Sequence, residues 1–151
     1  MKTAMPLFLD VSVWLPLVWD GHVASEATHR WLASQSEDLI VCRITELAML
    51  RHLTNPAIMG NDVYSNVEAA GFVESFLAQP DVVFRSEPAE IGNYFPRLGR
   101  DADPSRNRWT DAYLAAFSIA SKIEFITYDR GFSRYQSEGL TWRLLKTDSP
   151  G

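Results

Sequence analysis

Five short β-prone runs, LFLD (7–10), LIVC (39–42), VVF (82–84), EFIT (124–127) and WRLL (142–145), are separated by stretches whose apolar residues recur with helical period. The runs are mostly continuous in hydrophobicity rather than alternating, as strands covered on both faces are. Strands separated by helices pair in parallel through crossovers. The pattern therefore predicts an α/β fold, a three-layer α/β/α sandwich around a mostly parallel central sheet. Helices are expected at 13–20, 23–34, 45–54, 62–78, 88–96 and 111–121. Pro56 and Pro80 stop two of them, Pro16 falls in a first helical turn, and Ser12, Asn61 and Thr110 are the expected N-caps. With 151 residues and no repeat or linker, a single domain over 1–151 is expected.

Composition narrows the class. The chain is 46 % hydrophobic, which excludes a disordered polymer, and its net charge of −5 requires any nucleic-acid partner to be held by a local basic patch. The one cysteine, Cys42, lies in an apolar run and reads as a buried thiol in a reducing compartment. The stretch MKTAMPLFLDVSVWLPLVW begins like a poor signal peptide, but Asp10 interrupts it and no 18-residue apolar span follows. A cytoplasmic protein with no membrane partner is expected.

The carboxylates carry the chemistry. Asp10 stands in LFLDVSVWL at the carboxyl end of the first strand, the edge where ligands bind in open α/β sheets. A buried, unpartnered carboxylate costs several kcal/mol, so a reason for its presence is needed. Glu46 in LIVCRITELAMLRHL follows the second strand, in the first turn of a helix. Asp129 in FITYDRGF follows the fourth strand, and Asp111 in RWTDAYLAAFSIA opens a helix behind Thr110, where the helix dipole favours negative charge. Two such groups about 4 Å apart repel by roughly 4 kcal/mol at an effective dielectric of about 20, so four convergent acids require a cation. Oxygen-only ligands suit Mg²⁺ or Mn²⁺, and such a centre hydrolyses phosphodiesters with an activated water.

LFLDVSVWL, ITELAMLRHLTNP, and TDAYLAA followed by FITYDRGF resemble the acidic motifs of PIN-domain ribonucleases, especially the VapC-type toxins of type II toxin–antitoxin systems. The resemblance runs through most of the chain in order and spacing, with residues 57–100 adding little. It implies a PIN-like nuclease in which Asp10, Glu46, Asp111 and Asp129 are both metal ligands and catalytic groups around one or two Mg²⁺ or Mn²⁺ ions, supported by Ser12 and Thr127. It implies an endoribonuclease that cleaves tRNA or rRNA by metal-activated water, leaving 5′-phosphate and 3′-hydroxyl ends. Its implied partners are the RNA substrate, a cognate antitoxin protein that occludes the acidic pocket, and a second copy in a homodimer.

An acidic nuclease must still grip RNA. FPRLGRDADPSRNRW sets Arg97, Arg100, Arg106 and Arg108 in a loop-like segment leading into Asp111, with Arg43 and Arg51 flanking Glu46 and Arg130 and Arg134 beyond Asp129. Arg106 and Arg108 are the candidate RNA-binding pair. His22, His29 and His52 lack the spacing of a zinc site, and the five tryptophans read mainly as core or interface. Two other functions stay open. A haloacid-dehalogenase-type phosphatase also places an Asp after a buried strand, but needs a second Asp two residues on, where this chain has Ser12. A non-enzymatic α/β binding module would use the same acids as caps and turns.

Overall fold

The computed structural model describes residues 5–147; residues 1–4, where the leader-like stretch begins, and 148–151 lie outside them. Strands β1 (Leu7–Leu9), β2 (Leu39–Val41), β3 (Val82–Phe84), β4 (Glu124–Thr127) and β5 (Trp142–Leu144) form one sheet in the order β3-β2-β1-β4-β5. Every pairing is parallel, with Leu7 opposite Leu39 and Glu124, and Phe8 opposite Ile40 and Phe125.

The pleat divides the strand residues between two apolar clusters. Leu7, Leu9, Val41 and Ile126 meet Val13 and Trp14 of α1 (Val11–Val18), Met49 and Leu53 of α3 (Arg43–Leu53), and Val73 of α5 (Asn66–Leu77). Phe8, Ile40 and Phe125 face the other way, onto Leu114 and Phe117 of α6 (Arg106–Ser121). There the Phe8 ring stacks on Phe117 at 4.7 Å between centroids and tilts onto Phe125 at 5.6 Å. Helix α2 (Ser25–Ala33) packs outside α1, and a short α4 (Pro56–Met59) follows α3. This is the expected three-layer sandwich. Strands β1 and β2 are buried at every position because helices cover both faces, whereas edge strand β3 leaves Val83 and Phe84 exposed. Among the described residues no helix is long and apolar enough to cross a membrane.

Several local expectations are corrected. Helix α1 begins at Val11, capped by Asp10 rather than Ser12, so Pro16 sits in the second turn, inside the helix. Cys42 is buried, as expected, but it ends the strand run by capping α3. Asn61 lies in a short 3₁₀ turn (Gly60–Asp62), and α5 starts after Ser65, whose hydroxyl accepts from Glu68 N at 3.1 Å while Glu68 Oε1 accepts from Ser65 N at 3.0 Å. That reciprocal pair is a capping box, the stronger start signal in NDVYSNVE. Ser65→Ala is expected to cost about 1 kcal/mol in chemical denaturation, and Asn61→Ala less than about 0.5 kcal/mol. The stretch expected as a helix over 88–96 is a single 3₁₀ segment, Ala89–Asn93, and another 3₁₀ segment, Arg130–Glu138, lies between β4 and β5, where no element is expected.

Helix α6 starts five residues before Asp111, so Thr110 is not its cap and Asp111 is not in its first turn. The extra turn is held from outside. Trp109 lies so close over Gly99 that a Cβ there would stand 2.6 Å from the indole, and Phe95 packs edge-on against the same ring at 6.2 Å. Arg106 and Arg108 are consequently helical, not in a loop.

Candidate active site

The chain lays down β1, β2 and β3 outward on one side, then returns to place β4 beside β1 on the other. The strand order reverses between β1 and β4, and the crevice beyond the carboxyl ends of strands at such a point is the usual ligand site. Asp10 directly follows β1, and Asp129 follows β4 by two residues. Helix α6 leads into β4 through Lys122 and Ile123, so it runs back along the sheet and brings its first turns, with Asp111, to this edge.

Asp10 is almost fully buried, 6 % exposed, and every hydrogen bond it makes favours its charged form. Val11 N donates to Oδ1 at 2.8 Å, and the hydroxyls of Ser12 and Thr127 donate to Oδ2 at 2.9 and 2.8 Å. Those hydroxyls are themselves oriented, because Tyr128 N donates to Ser12 Oγ at 3.1 Å and Asp129 N to Thr127 Oγ1 at 3.0 Å. With acceptor sites occupied by backbone N–H groups, both protons are free to turn toward the carboxylate. Ser12 and Thr127 thus both hydrogen-bond the buried acid. Burial nevertheless pushes the Asp10 pKa up from its ordinary value; the three hydrogen bonds offset part of the rise and the charge of Asp129 adds to it.

Asp129 caps the Arg130–Glu138 segment, its Oδ1 accepting from Gly131 N at 2.8 Å, with its side chain otherwise open to solvent. Asp111 is half-buried, and its pKa is pushed up to about 6 by burial, then by the charges of Asp129 and Asp10, with Arg108 pulling the other way. Asp10, Asp111 and Asp129 therefore share one electrostatic environment despite lying up to 119 positions apart along the sequence. Glu46 is in the first turn of α3 as expected, but its carboxylate is engaged by Arg43 Nη1 at 2.9 and 3.1 Å. Among the described residues no three acidic, imidazole or thiol groups are already grouped as a metal cage. The donor set still suits a hard divalent cation: it is all oxygen, and the charges of neighbouring acids help to raise the pKa of Asp10 and Asp111, a repulsion that positive charge relieves.

The basic segment is partly neutralised from within. Arg97 pairs with Glu138 at 2.7 Å, Arg108 Nε lies 2.6 Å from Asp101 Oδ2, and Arg134 reaches the same carboxylate at 3.7 Å. The Arg108 contact is one of charge, since its N–H is not aligned on that oxygen. Arg106 is exposed and has no ion-pair partner among the described residues. Tyr135 is a member of the site that sequence reasoning does not reach. Its hydroxyl is buried without a hydrogen-bond partner among the described residues, and its pKa is pushed up to about 12 by burial and then by the charge of Asp111. A Tyr six residues past Asp129 carries no signal of this kind in the sequence.

Known proteins share both sequence and architecture with this chain. The family model for the PIN domain matches residues 7–138. Ribonuclease VapC41 of Mycobacterium tuberculosis is 32% identical over 145 residues, 92% of this chain and 98% of that protein. Ribonuclease VapC43 of the same organism is 30% identical over 74% of each chain. Among solved structures, VapBC2 from Rickettsia felis bound to a promoter DNA fragment has a chain that superposes with a TM-score of 0.67 at 13% identity, over 94% of this chain and 100% of that one. VapC20 of Mycobacterium tuberculosis, described as a Sarcin-Ricin loop cleaving toxin, superposes with a TM-score of 0.64 at 17% identity, over 85% and 93%. The acid-lined strand edge, the order of its motifs and these matches have one conclusion in common: the chain belongs to the PIN domain family.

Proposed function

We propose that this protein is an endoribonuclease, the toxin of a type II toxin–antitoxin module, and that residues 1–151 act as one PIN-like nuclease domain. The observation that carries the reading is the joint field of Asp10, Asp111 and Asp129 at the β1/β4 edge, in a chain 32% identical to a VapC ribonuclease over nearly its whole length. Ribonucleases of this family depend on a divalent metal; Mg²⁺ or Mn²⁺ is the choice the all-oxygen donors favour. Asp10, Glu46, Asp111 and Asp129 would hold it, Glu46 by exchanging its contact with Arg43.

A cation bound there supplies Lewis-acid stabilisation of phosphate charge and lowers the pKa of water. The residues do the rest. Ser12 and Thr127 fix the Asp10 carboxylate, and Val11 N–H holds its other oxygen. Of these acids Asp111 and Asp129 are open enough to solvent to accept a proton from an attacking water, whereas Asp10 is almost fully buried. The bond broken is P–O3′, giving 5′-phosphate and 3′-hydroxyl ends. Arg106, exposed on the first turn of α6, would meet phosphate directly, and Arg108 would do so by giving up its contact with Asp101. tRNA or rRNA is the substrate class. An antitoxin covers the acidic edge, two copies pair as a homodimer, and the protein works in the cytoplasm.

The deciding experiment incubates purified protein with total RNA in Mg²⁺ or Mn²⁺ beside an EDTA control. Cleavage that vanishes with chelation is expected; equal cutting in both lanes rejects the mechanism. Thr127→Val keeps shape but removes one of three donors to a buried carboxylate. It should raise the Asp10 pKa further, move the acid limb of the pH–rate profile upward, and slow cleavage at pH 7 by about tenfold, the equivalent of about 1.4 kcal/mol.

A further inference from the structure

A cavity of about 550 Å³ opens beside the acids, between the carboxyl ends of β4 and β5 and the turn joining α1 to α2. Its volume is that of a small-molecule site. Ser12 belongs to its wall and also donates to Asp10 Oδ2 at 2.9 Å, so the cavity and the carboxylate cluster share a side chain. Its charge is opposite to its surroundings. Arg130 and Lys146 line it, and among the described residues no carboxylate does and neither cation has an ion-pair partner. In a chain of net charge −5, two uncommitted cations next to the acids mark a place built for an anion.

The remaining wall favours a ring. Tyr128 is fixed: Thr28 Oγ1 donates to Ala24 O at 2.7 Å, which leaves the Tyr128 hydroxyl as the donor in its 2.7 Å bond to Thr28 Oγ1. Leu144 and Leu145 add apolar surface. His22 Nδ1 accepts from Ala24 N at 2.9 Å, and burial lowers the ring's pKa, so the neutral ring carries its proton on Nε2 as a donor.

Cations for phosphate, an aromatic side chain held by its hydroxyl, apolar surface and a neutral donor together describe a nucleotide. We propose that this cavity seats the nucleotide next to the cleaved bond, with Arg130 and Lys146 gripping its phosphate and Tyr128 bearing its base. The inference rests on the ribonuclease reading and adds the direction of the bound strand, along the β4–β5 side of the acids. An acidic peptide would satisfy the cations but not the aromatic wall.

The test measures anisotropy of a fluorescent single-stranded RNA ten nucleotides long, in Mg²⁺, with full-length Asp10→Asn protein as a non-cleaving parent. Adding Arg130→Gln and Lys146→Gln together should weaken binding at least tenfold and flatten the log–log salt slope by about 0.7 for each phosphate that is no longer neutralised. Lys122→Gln removes the same kind of charge at the opposite sheet edge, at the end of α6, and should change affinity less than twofold. Nucleoside 5′-monophosphates should displace the RNA from the parent at lower concentration than inorganic phosphate does. Unchanged binding by the double variant, equal weakening by Lys122→Gln, or displacement by a glutamate oligomer as effective as by nucleotides overturns the subsite. Wild-type cleavage in the same buffer separates the two claims. If the wild type cuts RNA while the double substitution leaves affinity intact, only the subsite falls; if it cuts none, the ribonuclease reading falls with it.

Discussion

Asp10→Asn is expected to lower RNA cleavage by about 10³-fold or more, because on the proposed reading Asp10 would hold the metal and so contribute several kcal/mol of transition-state charge stabilisation. The same variant, free of metal, should melt no lower than the wild type. Asn can keep the Val11 N–H on its carbonyl oxygen, and its amide can donate to the second lone pairs of the Ser12 and Thr127 hydroxyls once their protons turn away, for instance from Ser12 Oγ toward Thr127 Oγ1 at 3.3 Å. It also removes a buried charge that Asp129 repels. Activity and stability should therefore move in opposite directions, a pattern expected where a carboxylate is kept for chemistry rather than folding. A variant that unfolds, or one that still cuts RNA at a comparable rate, contradicts the assignment; single-turnover cleavage and thermal melts in EDTA decide it.

The second large effect is on pH and metal together. Asp111 has a pKa of about 6 in the folded protein against an ordinary 3.8, and Asp10 is shifted the same way. A raised carboxylate means the folded chain holds a proton that the unfolded chain has released. The stability this contributes is complete below about 3.8 and is lost as pH rises through about 6. Without metal, the wild type should therefore lose melting temperature between pH 4 and pH 7.5 relative to an Asp10→Asn/Asp111→Asn double variant, which isolates these two groups from the other titrations. Mn²⁺ competes with those protons, so it should raise the wild-type melting temperature strongly at pH 7.5, weakly at pH 5, and hardly at all in the double variant. A Mn²⁺ effect independent of both pH and the substitutions would place the ion elsewhere.

Features written in local patterns are legible in the sequence, and those made by contacts across the chain are not. Continuous apolar runs disclose the buried parallel strands, and the acids following them disclose the edge where they meet. The start of α6 is hidden because Thr110 looks like a cap, while the added turn depends on Trp109 fitting against Gly99 and Phe95. Asn61 and Ser65 are both residues that cap helices, yet only Ser65 has Glu three residues on, and that local difference decides where α5 begins. Arg97, Arg108 and Arg134 read as free phosphate grips; Glu138 and Asp101 reach them through the fold, and no spacing announces that. Why a carboxylate is tolerated in LFLDVSVWL depends on Thr127, 117 positions away, whose hydroxyl reaches Asp10 through the β1–β4 pairing.

Because one oxygen of Asp10 starts α1 while the other ties it to the end of β4, the acidic edge has no hinge of its own. Fraying it at Asp10 means parting the central strand β1 from its neighbour β4. The amide hydrogens of Val11, Tyr128 and Asp129 should then exchange with deuterium as slowly as those of the sheet interior, by global opening only. Restraint of a nuclease built this way is expected to come from something seated over the entrance rather than from local melting of this anchor.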